Sequence, residues 1–588
     1  MNSDEIRENF LKFFEKKGHR ILPPSSLIPT DSSVLFTTAG MQQFKEYYLG
    51  NPPPYGNKVT TCQKCFRTSD IEEVGDEKHL TFLEMLGNFS FGDYFKEETI
   101  KFAQELLISN FQLPISEMTV TVFGGDKEIP LDKESEKIWN TLGFSKNKGN
   151  LQYKGRADNF WGPTGLEGPC GPTTEIHFRG IEVWNLVFNE YYQDREGKLT
   201  FLKQKGVDTG MGLERLAMII QNKNSVFETD LFFPIIKEVP GENERAKRII
   251  ADHVKGSVFL ISEGVLPSNL ERGYALRRIL RRAIRYGKLL NLPKNFLIPL
   301  AKKVIEIYKD VYPEVKLKET DILTVIQNEE EKFEKTLEYG LKILHTEIKA
   351  RAYKPGKKIS NIPDVTPIKG FPSFTPFQIT SEWLFKFYQS FAIDPDLVFE
   401  EIERELHRKY TDSEKKKLME DFHNLMKKHQ EISRAGAEKK FGGGGQFSPK
   451  LHTATHLLHA ALRKILGEHV KQMGSDINPQ RLRFDFLHPK KMTKEELKRV
   501  EDLVNQKIKE NLEVKKEEVS LKEALKSGAL AFFKEKYPER VSVYSVGDFS
   551  KEICAGPHVK KTGELGYFKI EKEESAGAGV RRIKAVLK

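Results

Sequence analysis

The chain has 588 residues, 94 Lys and Arg against 84 Asp and Glu, and only four cysteines. That length holds about three or four cored domains, and so few cysteines exclude a disulfide scaffold and suit a reducing cytoplasm. No run of about 18 apolar residues is present, so no transmembrane helix is expected, and a net charge of +10 permits a polyanionic partner without requiring one.

From the N-terminus, residues 1–20 mix acids, lysines and phenylalanines at helical spacing and read as an amphipathic helix, not a signal peptide. Residues 81–94 and 182–192 alternate apolar and polar side chains, which predicts antiparallel strands. Helical periodicity takes over from about 241 to 438, notably over 322–350 and 397–428, and is interrupted by a Pro- and Gly-rich stretch at 355–376. Phe441-Gly-Gly-Gly-Gly-Gln446 reads as a flexible linker and the clearest boundary. A helix from His452 and strands near 481–486 and 541–546 follow. The expected division is therefore 1–238, 239–440, a linker at 441–449, and 450–588, in an α+β multidomain chain. There is no internal repeat, Walker loop or dinucleotide fingerprint, so any nucleotide must be held another way.

Val207-Asp-Thr-Gly-Met-Gly-Leu-Glu-Arg215 joins an acid, two glycines that let a ligand approach backbone, and an arginine entering a helix. Asp208 suits an ammonium group and Arg215 a phosphate; the plainer alternative is a strand, a turn and a helix with Arg215 in a surface ion pair. Arg67 follows the strand-like Cys62-Gln-Lys-Cys-Phe66, with residues 81–89 as its hairpin partner. Trp161 precedes a Gly- and Pro-rich turn running to Glu175, and Trp184-Asn-Leu-Val-Phe188 is a further strand. Two arginines on neighbouring strands, with Glu175 for Mg²⁺, would grip a triphosphate without a glycine-rich loop. Cys62 and Cys65 form half of a zinc site, but nothing nearby completes it.

Two patterns remain. Between residues 272 and 285 stand six arginines with no acid among them; Arg277, Arg281 and Arg285 share one face, which is either a solvated charged surface or a phosphate-contacting one. Further on, His452-x3-His456 places two imidazoles on one helix face, a weak signal alone, and Cys554-x3-His558 adds a thiolate and a third imidazole, a set that suits zinc. His459, on the same helix, reads as packing or surface.

The strings 84–94 and 207–215 resemble those of the alanyl-tRNA synthetase family. Residues 23–27 look like motif 1 of the class II synthetases, the Arg67 hairpin like motif 2, and 210–215 like motif 3. Thr453-Ala-Thr-His456, Gln472, Arg483-Phe-Asp-Phe486 and Cys554-Ala-Gly-Pro-His558 resemble the family's editing domain. The resemblance implies a class II antiparallel sheet flanked by helices, a helical acceptor-stem domain, and a small zinc-containing α+β editing domain. It implies ATP-dependent activation of L-alanine, transfer to the 3′ end of tRNA(Ala), and hydrolysis of Ser- or Gly-charged tRNA(Ala), in the cytoplasm. Arg67 would meet the α-phosphate of ATP and Arg215 the γ-phosphate, with Met85 and Glu175 completing the ATP and Mg²⁺ site. Asp208 would take the alanine ammonium, and Trp161, Asn185, Val187 and Gly210 would shape the pocket. Asn269 and Gln389 would read an acceptor base pair beside Arg277, Arg281 and Arg285. Gln472 would serve editing, with Zn²⁺ on His452, His456, Cys554 and His558.

Departures from the family pattern carry expectations too. Gln389 stands where the family has aspartate, which relaxes or shifts tRNA identity. The loop at 68–73 lacks its usual lysine, a contact that Lys64 or Lys78 would replace. Ala555 and Pro557 replace Gly and Thr, the β-barrel ahead of the editing core is missing, and the chain ends before the coiled segment and C-terminal domain, which implies a monomer. Threonyl-tRNA synthetase shares the editing signature but places it before catalysis and holds its substrate with zinc ligands missing here. Intact Arg67, Asp208 and Arg215 argue against a free-standing deacylase, and only the basic helix favours a simple RNA-binding module.

Overall fold

A computed structural model describes the chain except residues 32, 353–378, 392, 394, 407–409, 439–447, 479, 531–539, 555 and 578. The expected loop at 355–376, the glycine linker at 442–445 and Ala555 lie outside the described residues. The chain divides into two compact units, Met1–Phe333 and Glu334–Lys588.

The first unit is built on nine strands: β1 (Arg20–Ile21), β2 (Lys58–Phe66), β3 (Phe82–Phe91), β4 (Met118–Phe123), β5 (Leu151–Lys154), β6 (Phe160–Trp161), β7 (Gly168–Phe178), β8 (Ile181–Gln193) and β9 (Leu199–Gly212). Their order is β1-β2-β3-β9-β8-β7-β4-β5, with β6 on β7. All pairs are antiparallel except β1–β2 and β4–β5. Long central strands follow from the alternation in the sequence, and each face of the sheet is covered by a different element. The helix Ser3–Lys16 opens with an Asn2–Glu5 capping box and sets Phe10 and Phe14 at 5.8 and 6.3 Å from the Trp184 ring of β8. On the opposite face Met41, Phe44 and Tyr48 pack with Met85, Phe89 and Phe91 of β3. Helices Glu244–Ser262 and Glu271–Leu289 belong to this unit too, the first docked through Phe259, whose ring stacks on Phe82 at 3.9 Å.

In the second unit the helix Pro449–Leu466 packs with a four-stranded sheet. Its strands are β10 (Gln472–Ile477), β11 (Leu482–Leu487), β15 (Phe568–Gly577) and β16 (Val580–Leu587), in the order β10-β11-β16-β15. A second sheet joins β12 (Val514–Ser520), β13 (Arg540–Val546) and β14 (Ser550–Ile553). The helix expected over 397–428 is divided into Pro395–Leu406 and Asp412–Glu438. The cause is local: Thr411 and Glu414 form a reciprocal cap, Thr411 N–H donating to Glu414 (2.9 Å) and Glu414 N–H to Thr411 Oγ1 (3.3 Å), which starts a new helix. No described helix is long and apolar enough to cross a membrane.

Candidate functional site

Strand parity assembles the first site. Side chains two apart on a strand share a face, and the register aligns Glu175 with Asn185 and Asn185 with Gly210. The next row aligns Val187 with Asp208 and Asp208 with Phe89. Met85 belongs to the same face of β3, and a Cβ on Gly210 would stand 2.9 Å from its sulfur, so glycine there lets the methionine side chain lie against the strand. Gln63 and Cys65 lie on the matching face of β2, which sends Arg67, two residues on, to the same side. Trp161 of β6 packs against the Met85–Phe89 cluster from above. Arg67, Met85, Trp161, Glu175, Asn185, Val187, Asp208 and Gly210 thus share one sheet surface.

The charges on that surface are held in different ways. Asp208 is 4 % exposed, and burial alone pushes its carboxyl up to about 8. Asn185 Oδ1 beside it is buried without a hydrogen-bond partner. A cation with N–H donors would satisfy both. Arg67 donates from Nε to the Thr38 carbonyl (3.2 Å), which leaves the rest of its guanidinium for a ligand. Arg215 donates from Nη1 to the side chain and carbonyl of Glu182, both at 3.0 Å, so the plain ion pair is what the protein itself forms. Glu175 lies 3.0 Å from His177 Nε2 and accepts from Thr121 Oγ1 at 3.4 Å. Of the two lysines expected near the Arg67 loop, Lys64 is buried between Glu263 (2.7 Å) and Glu314 (2.6 Å) and does not face a ligand; Lys78 is exposed.

Behind the sheet, a second charged cluster is fully enclosed. Glu84 accepts from Arg7 Nε and Nη2 (3.0 and 2.9 Å) and from Tyr312 (2.7 Å), and Glu214 pairs with Lys255 (2.7 Å). Glu84 adjoins Met85 and Glu214 adjoins Arg215, so the cluster fixes the backbone that presents both. Cys62 belongs to this side, 3.6 Å from Glu84, whereas Cys65 faces the site. Being three apart on a strand, the two thiols point to opposite faces and do not form a metal pair.

The arginine helix is organised by protein contacts. Arg277 is buried, bonds the Asn269 carboxamide and the Pro267 carbonyl, and pairs with Glu329 at 3.2 Å. Arg281 pairs with Glu329 at 2.9 Å and covers the Phe333 ring. Arg285 is buried over Tyr286. Of the three arginines expected on one face, Arg277 and Arg285 are buried, and Arg281 is the most exposed. Arg282, which the sequence reading passed over, donates to the carbonyls of Ile71 (2.6 Å) and Val74 (3.3 Å) in the loop after Arg67. Gln389 sits exposed on the helix Ser381–Phe391 of the second unit.

In that second unit His452, His456, Cys554 and His558 converge, one ligand atom from each lying within 4.8 Å of the others. It is the one group of this kind among the described residues. The first two come from the helix Pro449–Leu466, one turn apart; the others follow β14, so a helix face and a strand end build the cluster. His452 Nε2 is 3.3 Å from Cys554 Sγ, and the His558 ring lies 4.6 and 4.5 Å from those of His452 and His456. Burial lowers all three imidazoles, His452 to about 4 and His558 to about 2, so they are neutral and present lone pairs. Thr453 Oγ1 is 3.2 Å from His558 Nδ1 and orients that ring. Glu552, missed in the sequence because it belongs to an ordinary strand, lies 3.8 Å from His456 and 2.9 Å from His459. His459 is thus a buried partner of Glu552. Gln472 opens β10 and donates to Ser475 Oγ at 3.0 Å.

The family described as tRNA synthetases class II (A) matches residues 5–469, and the threonyl and alanyl tRNA synthetase second additional domain matches residues 541–584. The first unit is therefore a class II synthetase fold, an antiparallel sheet flanked by helices. Among curated proteins the chain is similar to the alanine–tRNA ligase of Borrelia hermsii, 45% identical over the whole of both chains. It is 44% identical to that of Treponema denticola, across 99% of this chain and 98% of the other, and 37% identical to that of Dehalococcoides mccartyi, across all of this chain and 80% of the other. The chain belongs to the alanine–tRNA ligase family.

Proposed function

We propose that this chain activates L-alanine with ATP and transfers it to tRNA(Ala), and that its second unit hydrolyses tRNA carrying serine or glycine. The observation that carries the first activity is Asp208: a buried carboxylate with no described cation beside it, next to an unpartnered amide oxygen on the sheet face that also carries Met85. Asp208 takes the substrate ammonium, and Val187 and Gly210 leave space for a methyl group. Arg67 and Arg215 hold the two ends of the triphosphate, Met85 lines the nucleotide side, and Glu175 would hold Mg²⁺, which would supply neutralisation of the phosphate charge. No protein nucleophile is required. The carboxylate of alanine attacks the α-phosphorus, pyrophosphate leaves, and a terminal ribose hydroxyl of the tRNA then displaces AMP. Positioning and charge neutralisation supply the rate.

For the second activity the support is the donor set: three neutral imidazoles and a thiol, with His456 Nδ1 and His558 Nε2 buried and unbonded. Such a set fits tetrahedral Zn²⁺ on His452, His456, Cys554 and His558, where the ion would supply Lewis acidity or orient the tRNA end. Glu552 orients the cluster from behind, and Gln472 faces the ester. Editing answers a physical limit, because a pocket fitted to a methyl group rejects an added hydroxyl by only about 100-fold. Asn269, Arg281 and Gln389 contact the acceptor stem, in an organisation of catalytic (1–238), stem-binding (239–440) and editing (450–588) segments. The test is charging of tRNA(Ala) with alanine, followed by hydrolysis of serine-charged tRNA(Ala) with and without a chelator. The reading requires about one equivalent of zinc, chelator-sensitive hydrolysis and chelator-insensitive charging. Charging that is independent of alanine, or hydrolysis in a metal-free His456→Ala variant, overturns it.

A further inference from the structure

One polar side chain on the Asp208 face has no assigned role. Asn189 lies two residues beyond Val187 on β8, so it points the same way as Asn185 and Val187. It is completely buried, and neither its carboxamide oxygen nor its nitrogen has a hydrogen-bond partner. Its surroundings explain why. Its partner on β9 is Gly206, which offers no side chain. Tyr48 covers that glycine, and its hydroxyl is already donated to the Val207 carbonyl at 2.8 Å. On the β7 side Gly171, the partner of Trp161, runs against the backbone of Phe188 and Glu190 so closely that a Cβ would meet Phe188 O at 1.8 Å. Val187, Asp208 and Asn189 therefore lie together on one face of β8 and β9.

Buried amides are almost always satisfied, and a buried Asn on the covered side of this sheet obeys the rule: Asn88 bonds Tyr94 OH and Thr209. An orphaned carboxamide in a ligand corner is a group waiting for a ligand atom. We propose that Asn189 is a specificity-determining residue of the amino-acid pocket, its carboxamide meeting a hydroxyl on the substrate β-carbon, so that the pocket admits serine beside alanine. The inference rests on the alanine reading above and deepens it. Val187 and Trp161 accommodate a methyl, while Asn189 removes much of the desolvation cost that would otherwise count against a hydroxyl.

The test is alanine- and serine-dependent exchange of pyrophosphate into ATP by the full chain, comparing the native protein with Asn189→Leu, which keeps the volume and removes both polar atoms. Asn189→Val serves as a second, smaller variant. Serine kcat/KM should fall by about 5- to 10-fold, the worth of one neutral hydrogen bond, with alanine kcat/KM held within about 2-fold and Tm not lowered. An unchanged ratio of serine to alanine in both folded variants overturns the proposal. So does an equal loss for both amino acids with a lowered Tm, which marks Asn189 as structural. A native protein without alanine-dependent exchange would instead overturn the functional reading, before Asn189 is tested at all.

Discussion

Asp208 shows what a single residue reveals when its chemistry is taken literally. Its carboxyl is raised from 3.8 to about 8 by burial alone. Between about pH 4 and pH 8 the folded chain holds a proton that the unfolded chain has released, so this group costs stability as pH rises through that window and levels off above it. The slope is at most about 1.4 kcal/mol per pH unit. Asp208→Asn has no such term. Its melting temperature should match the native protein near pH 4 and exceed it increasingly up to about pH 8.5; equal melting curves at both ends would contradict the assignment. The native carboxylate is retained despite this cost, as expected where binding a substrate cation outranks stability.

Helices and loops carry a lesson about partners. The basic pattern at 272–285 was legible as a helix with an apolar face, and the structure places Glu271–Leu289 there. What Arg282 touches was not legible, because its acceptors are carbonyls about 200 positions away in the chain. Arg282 also bonds His253 Nε2 (3.0 Å), His253 Nδ1 lies 2.9 Å from Asp252, and Asp252 accepts from the Thr81 backbone at 2.9 Å. Two helices thereby clamp both ends of the loop between Arg67 and β3. Arg282→Met should cost about 2–3 kcal/mol, since it strands carbonyls in a buried site, and should speed amide exchange across residues 71–76. Arg278→Ala removes a partly exposed pair with Glu72 and should cost less, about 1 kcal/mol. Equal losses in the two variants would show that the loop is not held this way. The divided helix at 395–438 was missed for a related reason: Thr411-x-x-Glu414 is a start signal inside an apolar period, and the period alone hides it.

At the scale of the whole molecule, the two chemical constellations fall in different compact units, Asp208 and both arginines in Met1–Phe333 and the His/Cys cluster in Glu334–Lys588. Strand parity made most of the first site readable once the strands were placed, since residues 185, 187, 208 and 210 alternate by two. The cluster was readable from i, i+4 spacing plus Cys-x3-His. Asn189 and Glu552 were not, because a buried amide or acid gains its meaning only from what surrounds it. The central claim is that Asp208 and the arginine pair recognise an amino acid and a nucleotide together. It is tested most directly by exchange of pyrophosphate into ATP, with and without alanine, in the native chain and in Asp208→Asn. The account predicts strictly alanine-dependent exchange that falls by about 100-fold or more in the variant, the loss expected when one member of a buried charge pair is removed. Exchange that persists in Asp208→Asn, or that ignores alanine, would contradict it.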